Sequence, residues 1–228
     1  GHAVSCLSHS ESKLASLPQA VERAYADLDD RSSLTAAFKG AKSVLLSLAP
    51  HPNEGIRGAN AVDAATEAGV EKVVHVSVKH YPGSGTRVFY QGKQATERKL
   101  AAAPFKSTIL RPANFFQTDS TQKSYIVDMG FFAPPIGNVG VDRIDCRDVG
   151  YAAAKALTTT TYDGQEAELY GAETFTGETM AHLYARLLQR PIRYMGNDIE
   201  KWAELNSPRL GPWYVDSLRG LYEQQQVL

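Results

Sequence analysis

Residues 43–78 read SVLLSLAPHPNEGIRGANAVDAATEAGVEKVVHVSV, and this stretch decides the fold. Ser43 to Leu48 is a continuous apolar run, as expected of a strand covered on both faces. Val73 to Val78 is a second run of the same kind. Between them Ile56, Asn60, Val62, Ala65 and Ala68 suit one helix, and Gly69 suits its C-terminal stop. Two buried strands joined by a helix make a parallel pair with a crossover connection.

The same rhythm extends in both directions. Upstream, residues 3–7 read as a short strand, followed by Pro18 and a second strand over Val21–Tyr25. Asp29, Asp30, Ser32 and Ser33 then offer helix caps, Leu34 and Phe38 share one helix face, and Gly40 ends the helix. Downstream, the turn-rich HYPGSGTR leads to a helix over Val88–Ala102, closed by Pro104. Lys106–Leu110 is a further strand that ends in Arg111-Pro112. Regular alternation with short connections predicts an α/β fold with a doubly wound parallel sheet.

Beyond residue 114 the rhythm changes. FFQTDSTQKSYIVDMGFFAPPIGNVG is irregular, RDVGYAAAKALT reads as a helix and AELYG as a brief strand. TGETMAHLYARLLQR is helical, capped by Thr176, and two more helices are expected around Asp198–Leu205 and Pro212–Gln225. The expected organisation is a core over residues 1–114 and, over 115–228, a small C-terminal substrate lobe with some segments returning to the core.

Composition excludes several partners. With 228 residues, 43% hydrophobic, 21% charged and a net charge of −1, the chain has no electrostatic bias toward nucleic acid or an anionic membrane. Its longest apolar run, Val44 to Pro50, is too short to span a bilayer, and the N-terminus lacks the features of a signal peptide. Cys6 and Cys146 read as two buried thiols of a soluble, cytoplasmic protein, with a disulfide between them left open. The histidines at 2, 9, 51, 75, 80 and 182 show no metal-ligand spacing, and no G-x-S-x-G elbow exists. Oligomeric state is not legible.

Taken together, HAVSCLSHSESKLASLP (2–18), ADLDDRSSLTAAFKGAKSVLLSLAP (26–50), VDAATEAGVEKVVHVSV (62–78), STILRPANFF (107–116) and IDCRDVGYAAAKAL (144–157) resemble one group. It is the NmrA-like branch of the atypical short-chain dehydrogenases, which takes in the isoflavone-reductase-like enzymes. The resemblance implies a Rossmann-like sheet that binds NADP(H) or NAD, with a small-molecule substrate held by the C-terminal lobe. Members of the group begin with a strand and a G-x-x-G-x-x-G loop, ahead of the strand matched by Ala3–Leu7. That loop aims backbone N–H groups at the pyrophosphate. Nothing like it exists here, and Gly55 and Gly58 lie in the wrong unit to replace it. The missing strand would lie mid-sheet and leave two strand edges unpaired, so about two dozen upstream residues are expected to precede this chain. A variant sheet that has abandoned the dinucleotide is the alternative.

The resemblance also assigns positions. His9 falls where relatives that prefer NADP place a cation for the ribose 2′-phosphate, with Ser10 and Lys13 after it, so NADP(H) is favoured over NAD. A solvated turn is the competing reading. Asp27-Leu28 matches the pair beside the adenine, although Asp29 and Asp30 read as helix caps. Leu48, Ala49 and Pro50 end a strand at the carboxyl edge where ligands sit. Pro112, Asn114 and Phe115 match the segment along the nicotinamide. Phe115, Phe116, Phe131, Phe132 and Tyr125 suggest an aromatic substrate pocket, part of it plain core.

Short-chain dehydrogenases place a proton-donating tyrosine four residues before a lysine. Here Lys93 is preceded at that position by Phe89, and Tyr90 lies about 60° away around the helix. Phe-x-x-x-Lys resembles the isoflavone-reductase-like pattern, which implies that Lys93 itself is the acid/base or orienting group. Tyr90 and His80 are candidate helpers. The competing reading makes Lys93 an exposed lysine among Gln91, Gln94, Glu97 and Arg98. Expected function is therefore an NAD(P)H-dependent reductase of a small apolar carbonyl or conjugated compound. Two alternatives stay open: a non-catalytic NADP(H)-binding sensor that regulates a protein partner, and a cofactor-independent isomerase or cyclase.

Overall fold

The computed structural model describes residues 2–227. Its first half runs β1 (Ser5–Ser8), α1 (Glu11–Ala15), β2 (Glu22–Tyr25), α2 (Arg31–Phe38), β3 (Ser43–Ser47), α3 (Glu54–Glu67), β4 (Lys72–Val76), α4 (Val88–Ala101) and β5 (Lys106–Pro112). Local chemistry sets these elements. The Asp30 carboxylate accepts from the Ser32 and Ser33 N–H groups and caps α2, whose Leu34 and Phe38 are buried. Gly40 and Gly69 take positive φ where α2 and α3 end, a conformation that suits glycine.

The second half contributes β6 (Asn114–Phe115), a 3₁₀ turn, a π-helical turn at Ser124–Met129, β7 (Phe131–Phe132), β8 (Val141–Ile144) and α5 (Cys146–Thr158). Then come β9 (Glu166–Leu169), β10 (Thr174–Phe175), α6 (Gly177–Leu188), β11 (Arg193–Tyr194), α7 (Ile199–Leu210) and α8 (Pro212–Gln225). The main sheet is parallel, in the order β3-β4-β5-β9, so the brief strand β9 returns to lie beside β5. A second parallel pair, β1-β2, stands apart from it. Among the described residues β1 and β3 each have a partner on one side only.

Two cores follow from this division. One packs α2, α3 and α4 on β3 and β4 through Leu34, Phe38, Leu46, Val62, Val73 and Leu100, with Leu7 of β1 against it. The other fills the C-terminal lobe with Phe132, Met180, Trp202, Val215 and Tyr222.

Two expectations need correction. The run Ser43–Leu48 is not covered on both faces, because Leu45 is 46% exposed. Leu45 of β3 pairs with Val74, and β3 lies at the edge of the main sheet with a neighbour on one side only among the described residues. Ile56 lies in α3 as expected and is outward, at 63% exposed, since α3 turns its small residues Gly58, Ala61, Ala64 and Ala65 to the core. Cys6 and Cys146 are free thiols, half-buried rather than buried. Among the described residues no helix is long and apolar enough to cross a membrane.

Candidate functional site

The carboxyl ends of β3, β4 and β5 carry most of the candidate residues, and two close helices frame them. α3 and α4 approach through glycine. A Cβ on Gly58 would lie 2.0 Å from Thr96 Oγ1, and one on Gly92 would lie 2.7 Å from Glu54 Cβ. Gly55, read above as no phosphate loop, is a helical residue of α3 whose absent Cβ makes room for Ala95. This backbone-level packing buries a polar stripe of α4: Tyr90, Lys93, Thr96 and Glu97.

Lys93 is therefore not the exposed lysine of the competing reading. It is 6% exposed, and its ammonium donates to the Leu48 carbonyl at 2.5 Å. Glu54 Oε1 stands 2.8 Å from the same Nζ. Burial foremost pushes the Glu54 carboxyl above the usual carboxylate range, against the pull of the adjacent Lys93 charge. The fold thus brings two predicted residues, Lys93 and Leu48, into contact at the end of β3. Ala49 and Pro50 continue that edge, exposed and half-buried.

Tyr90 and His80 stand together but apart from the ammonium. Their rings meet edge to face at 6.4 Å, and Tyr90 meets Phe89 in the same way. Tyr90 is fully buried and its hydroxyl has no hydrogen-bond partner. Burial pushes its pKa well up, which makes it a poor acid at neutral pH. His80 Nε2 lies 3.5 Å from Glu97 Oε1, at the edge of a network the sequence did not reveal. There Glu97 accepts from Ser77 Oγ at 2.5 Å and from Arg111 at 3.1 and 2.7 Å. Burial holds the His80 imidazole below its ordinary pKa, although Glu97 opposes this. So neither helper touches the groups that hold Lys93.

The outer positions are more open. His9, in the turn after β1, and Lys13, in α1, are both exposed. Ser10 is spent locally: its hydroxyl caps α1 by accepting from Lys13 N–H at 3.4 Å. Asp27 Oδ1 accepts from the Asp29 N–H, which ties one carboxylate oxygen into the turn after β2. The Leu28 carbonyl accepts from Asn60. Asp29 itself pairs with Arg57 rather than capping α2.

On the far side Pro112 is buried, and its carbonyl accepts from Lys79 N–H. Asn114 and Phe115 form β6 against Arg143 and Ile144 of β8. The Phe115 carbonyl accepts from the buried Arg143, which also pairs with Asp119 at 2.8 Å, while Tyr184 donates to the other Asp119 oxygen at 2.5 Å. Sequence reading missed this cluster because its members are scattered along the chain. Of the expected pocket aromatics, Phe132 is core, packed between Tyr184 and Tyr194. Phe116 sits under the Arg143 guanidinium, and Tyr125 lines a small cleft beside Trp202. Among the described residues no cluster of His, Cys, Asp or Glu is placed to hold a metal ion.

Known proteins bear on this geometry in three ways. An NAD(P)H azoreductase of Xenophilus azovorans is 26% identical over 184 residues, 79% of this chain and 63% of that protein. The chain therefore spans less than two thirds of that relative's length. An NADPH-dependent quinone oxidoreductase of Escherichia coli, solved with NADPH, superposes with a TM-score of 0.84 at 19% identity, covering 98% of this chain and 81% of that one. NmrA, a negative transcriptional regulator solved with NADP, superposes at 0.76 with 18% identity, covering 98% and 74%. These structures show a shared fold, as the resemblance to NmrA-like proteins implies. A family model described as NAD(P)H-binding matches residues 1–160, and on that match the chain belongs to the NAD(P)H-binding family.

Proposed function

We propose that this protein is an NADP(H)-linked reductase of a small, flat, conjugated acceptor of the quinone or azo class. The observation that carries the reading is Lys93: a buried ammonium fixed at the carboxyl end of β3 by a hydrogen bond to the Leu48 carbonyl and an ion pair with Glu54. The azoreductase and the quinone oxidoreductase support the substrate class, since both names describe reduction of planar, conjugated compounds.

The residues present fit a dinucleotide along one edge. His9 and Lys13, exposed after β1, would hold a 2′-phosphate; Asp27 and Leu28 would border the adenine. Leu48, Ala49 and Pro50 would line the chain of the cofactor, and Pro112, Asn114 and Phe115 would flank the nicotinamide. When bound, the dinucleotide supplies the hydride. Lys93 orients the ribose or the acceptor oxygen and offers it a proton from Nζ. The burial of Lys93 under α3 and α4 excludes water from that ammonium, which strengthens its field on whatever it faces.

A second reading has its own observation. Phe89 stands where short-chain dehydrogenases carry a tyrosine, and the nearby Tyr90 hydroxyl is sealed in the core. That favours an NADP(H)-binding sensor that signals to a protein partner. The test is a titration of NADPH into the protein, then NADPH oxidation with a quinone, for wild type and Lys93→Ala. Binding with turnover that Lys93→Ala abolishes supports the reductase. Tight binding without turnover supports the sensor, and no binding refutes both.

A further inference from the structure

We propose that Glu54 is the positioning residue for Lys93, and that Gly92 exists to let it reach. The proposal rests on the reading of Lys93 given above. Glu54 opens α3, directly after the loop that leaves β3, while Lys93 sits in the second turn of α4. Both side chains are almost fully buried, at 4% and 8% exposed. A lysine buried without a counter-charge gives up its proton, because desolvation disfavours the charged form. Glu54 supplies that counter-charge at 2.8 Å, and the Leu48 carbonyl accepts an N–H at 2.5 Å. The ion pair and the hydrogen bond together hold the ammonium at the end of β3.

The glycine before the lysine completes the arrangement. A Cβ on Gly92 would stand 2.7, 3.0 and 3.1 Å from Glu54 Cβ, Cγ and Cδ, so any larger residue would push the carboxylate off its path. A plain interhelical ion pair has no need of such a cut. Asp63 and Lys99 join the same two helices at 2.7 Å from partly exposed positions, with no glycine involved.

Competitive acetylation of lysines by acetic anhydride, read by mass spectrometry, tests this without relying on activity. Only an unprotonated amine reacts, and Lys93, 6% exposed, reacts through opening of the helices, so its rate is read against hydrogen exchange of α4 in each variant. In Glu54→Gln, acetylation of Lys93 is expected to rise by about tenfold or more over wild type, and in Glu54→Asp to stay near it. Asp63→Asn should leave acetylation of Lys93 unchanged. Gly92→Ala should reproduce the rise at Lys93, which keeps the proposal testable should Glu54→Gln not fold. Lys93 acetylation within about twofold of wild type in folded Glu54→Gln or Gly92→Ala protein overturns the proposal. NADPH turnover is measured alongside. An inactive wild type refutes the reductase reading, while the acetylation pattern still judges Glu54.

Discussion

Gly58→Ala puts the close approach of α3 and α4 to a quantitative test. On helix propensity alone the change should stabilise by about 1 kcal/mol, since alanine is the better helix former. The structure predicts the opposite sign. The new Cβ would meet Thr96 Oγ1 at 2.0 Å, Cβ at 2.9 Å and Cγ2 at 2.9 Å. Rotating Thr96 can carry its oxygen away but leaves its Cβ at 2.9 Å, so side-chain movement gives only partial relief. The helices must separate, at an overpacking cost of ~1–3 kcal/mol or somewhat more, and the Glu54–Lys93 pair opens with them. The expected net loss is about 1 kcal/mol after the propensity gain is set against it. At roughly 2–4 °C per kcal/mol for a chain of this size, Tm falls by about 2–4 °C. Urea denaturation followed by circular dichroism measures it, with Gly150→Ala as control. Gly150 lies in α5 with nothing within 4 Å of its built Cβ, so that change should be neutral or mildly stabilising. Equal behaviour of the two variants would refute the backbone-level packing.

Further outcomes follow from buried groups. His75 is fully buried in β4, with Nδ1 at 3.0 Å from the Leu46 carbonyl, and burial followed by the Lys93 charge lowers its pKa to about 4. The folded state therefore favours the neutral ring, and its contribution is complete above pH 6.5 and lost as pH falls toward 4. Urea titrations should show ~3 kcal/mol less stability at pH 4 than at pH 7 from this group, and His75→Phe should flatten that slope. Tyr90→Phe removes a buried hydroxyl without a partner, so stability should hold or rise by about 1 kcal/mol. A large loss of stability would show a missing partner, and loss of turnover alone would show that a ligand uses the hydroxyl. Gly177→Ala would bring a Cβ to 2.0–2.4 Å from the Tyr194 ring. Near-ultraviolet circular dichroism should report displacement of that tyrosine; an unchanged spectrum would rule the contact out.

What the sequence makes legible is what repeats at short range. The apolar runs of β3, β4 and β5, the Asp30 cap and the Thr176 cap all depend on neighbours a few residues apart, and each appears in the structure. Lys93 emerges from a spacing of four on one helix. Its partner does not, because Glu54 lies 39 positions upstream, and only the folded helices bring the two charges to 2.8 Å. The same holds for Glu97 with Arg111 and for Asp119 with Arg143 and Tyr184. Exposure is also poorly legible at the sheet edge. Leu45 looks as buried as Leu46 until β3 is seen to be the edge of the main sheet. Tyr90 shows the reverse error: helical geometry places it near Lys93, while packing directs its hydroxyl into a closed interior.

The return of β9 to the main sheet has a consequence for how the chain is made. Ile109 of β5 pairs with Glu166 of β9, 57 positions later. At ~5–20 residues per second, synthesis leaves β5 waiting about 3–11 s for its neighbour. Throughout that interval a row of backbone donors and acceptors beside Ile109, Leu110 and Arg111 is open to any other extended segment. A chain interrupted between these strands carries a half-built sheet whose open edge can pair with another extended segment.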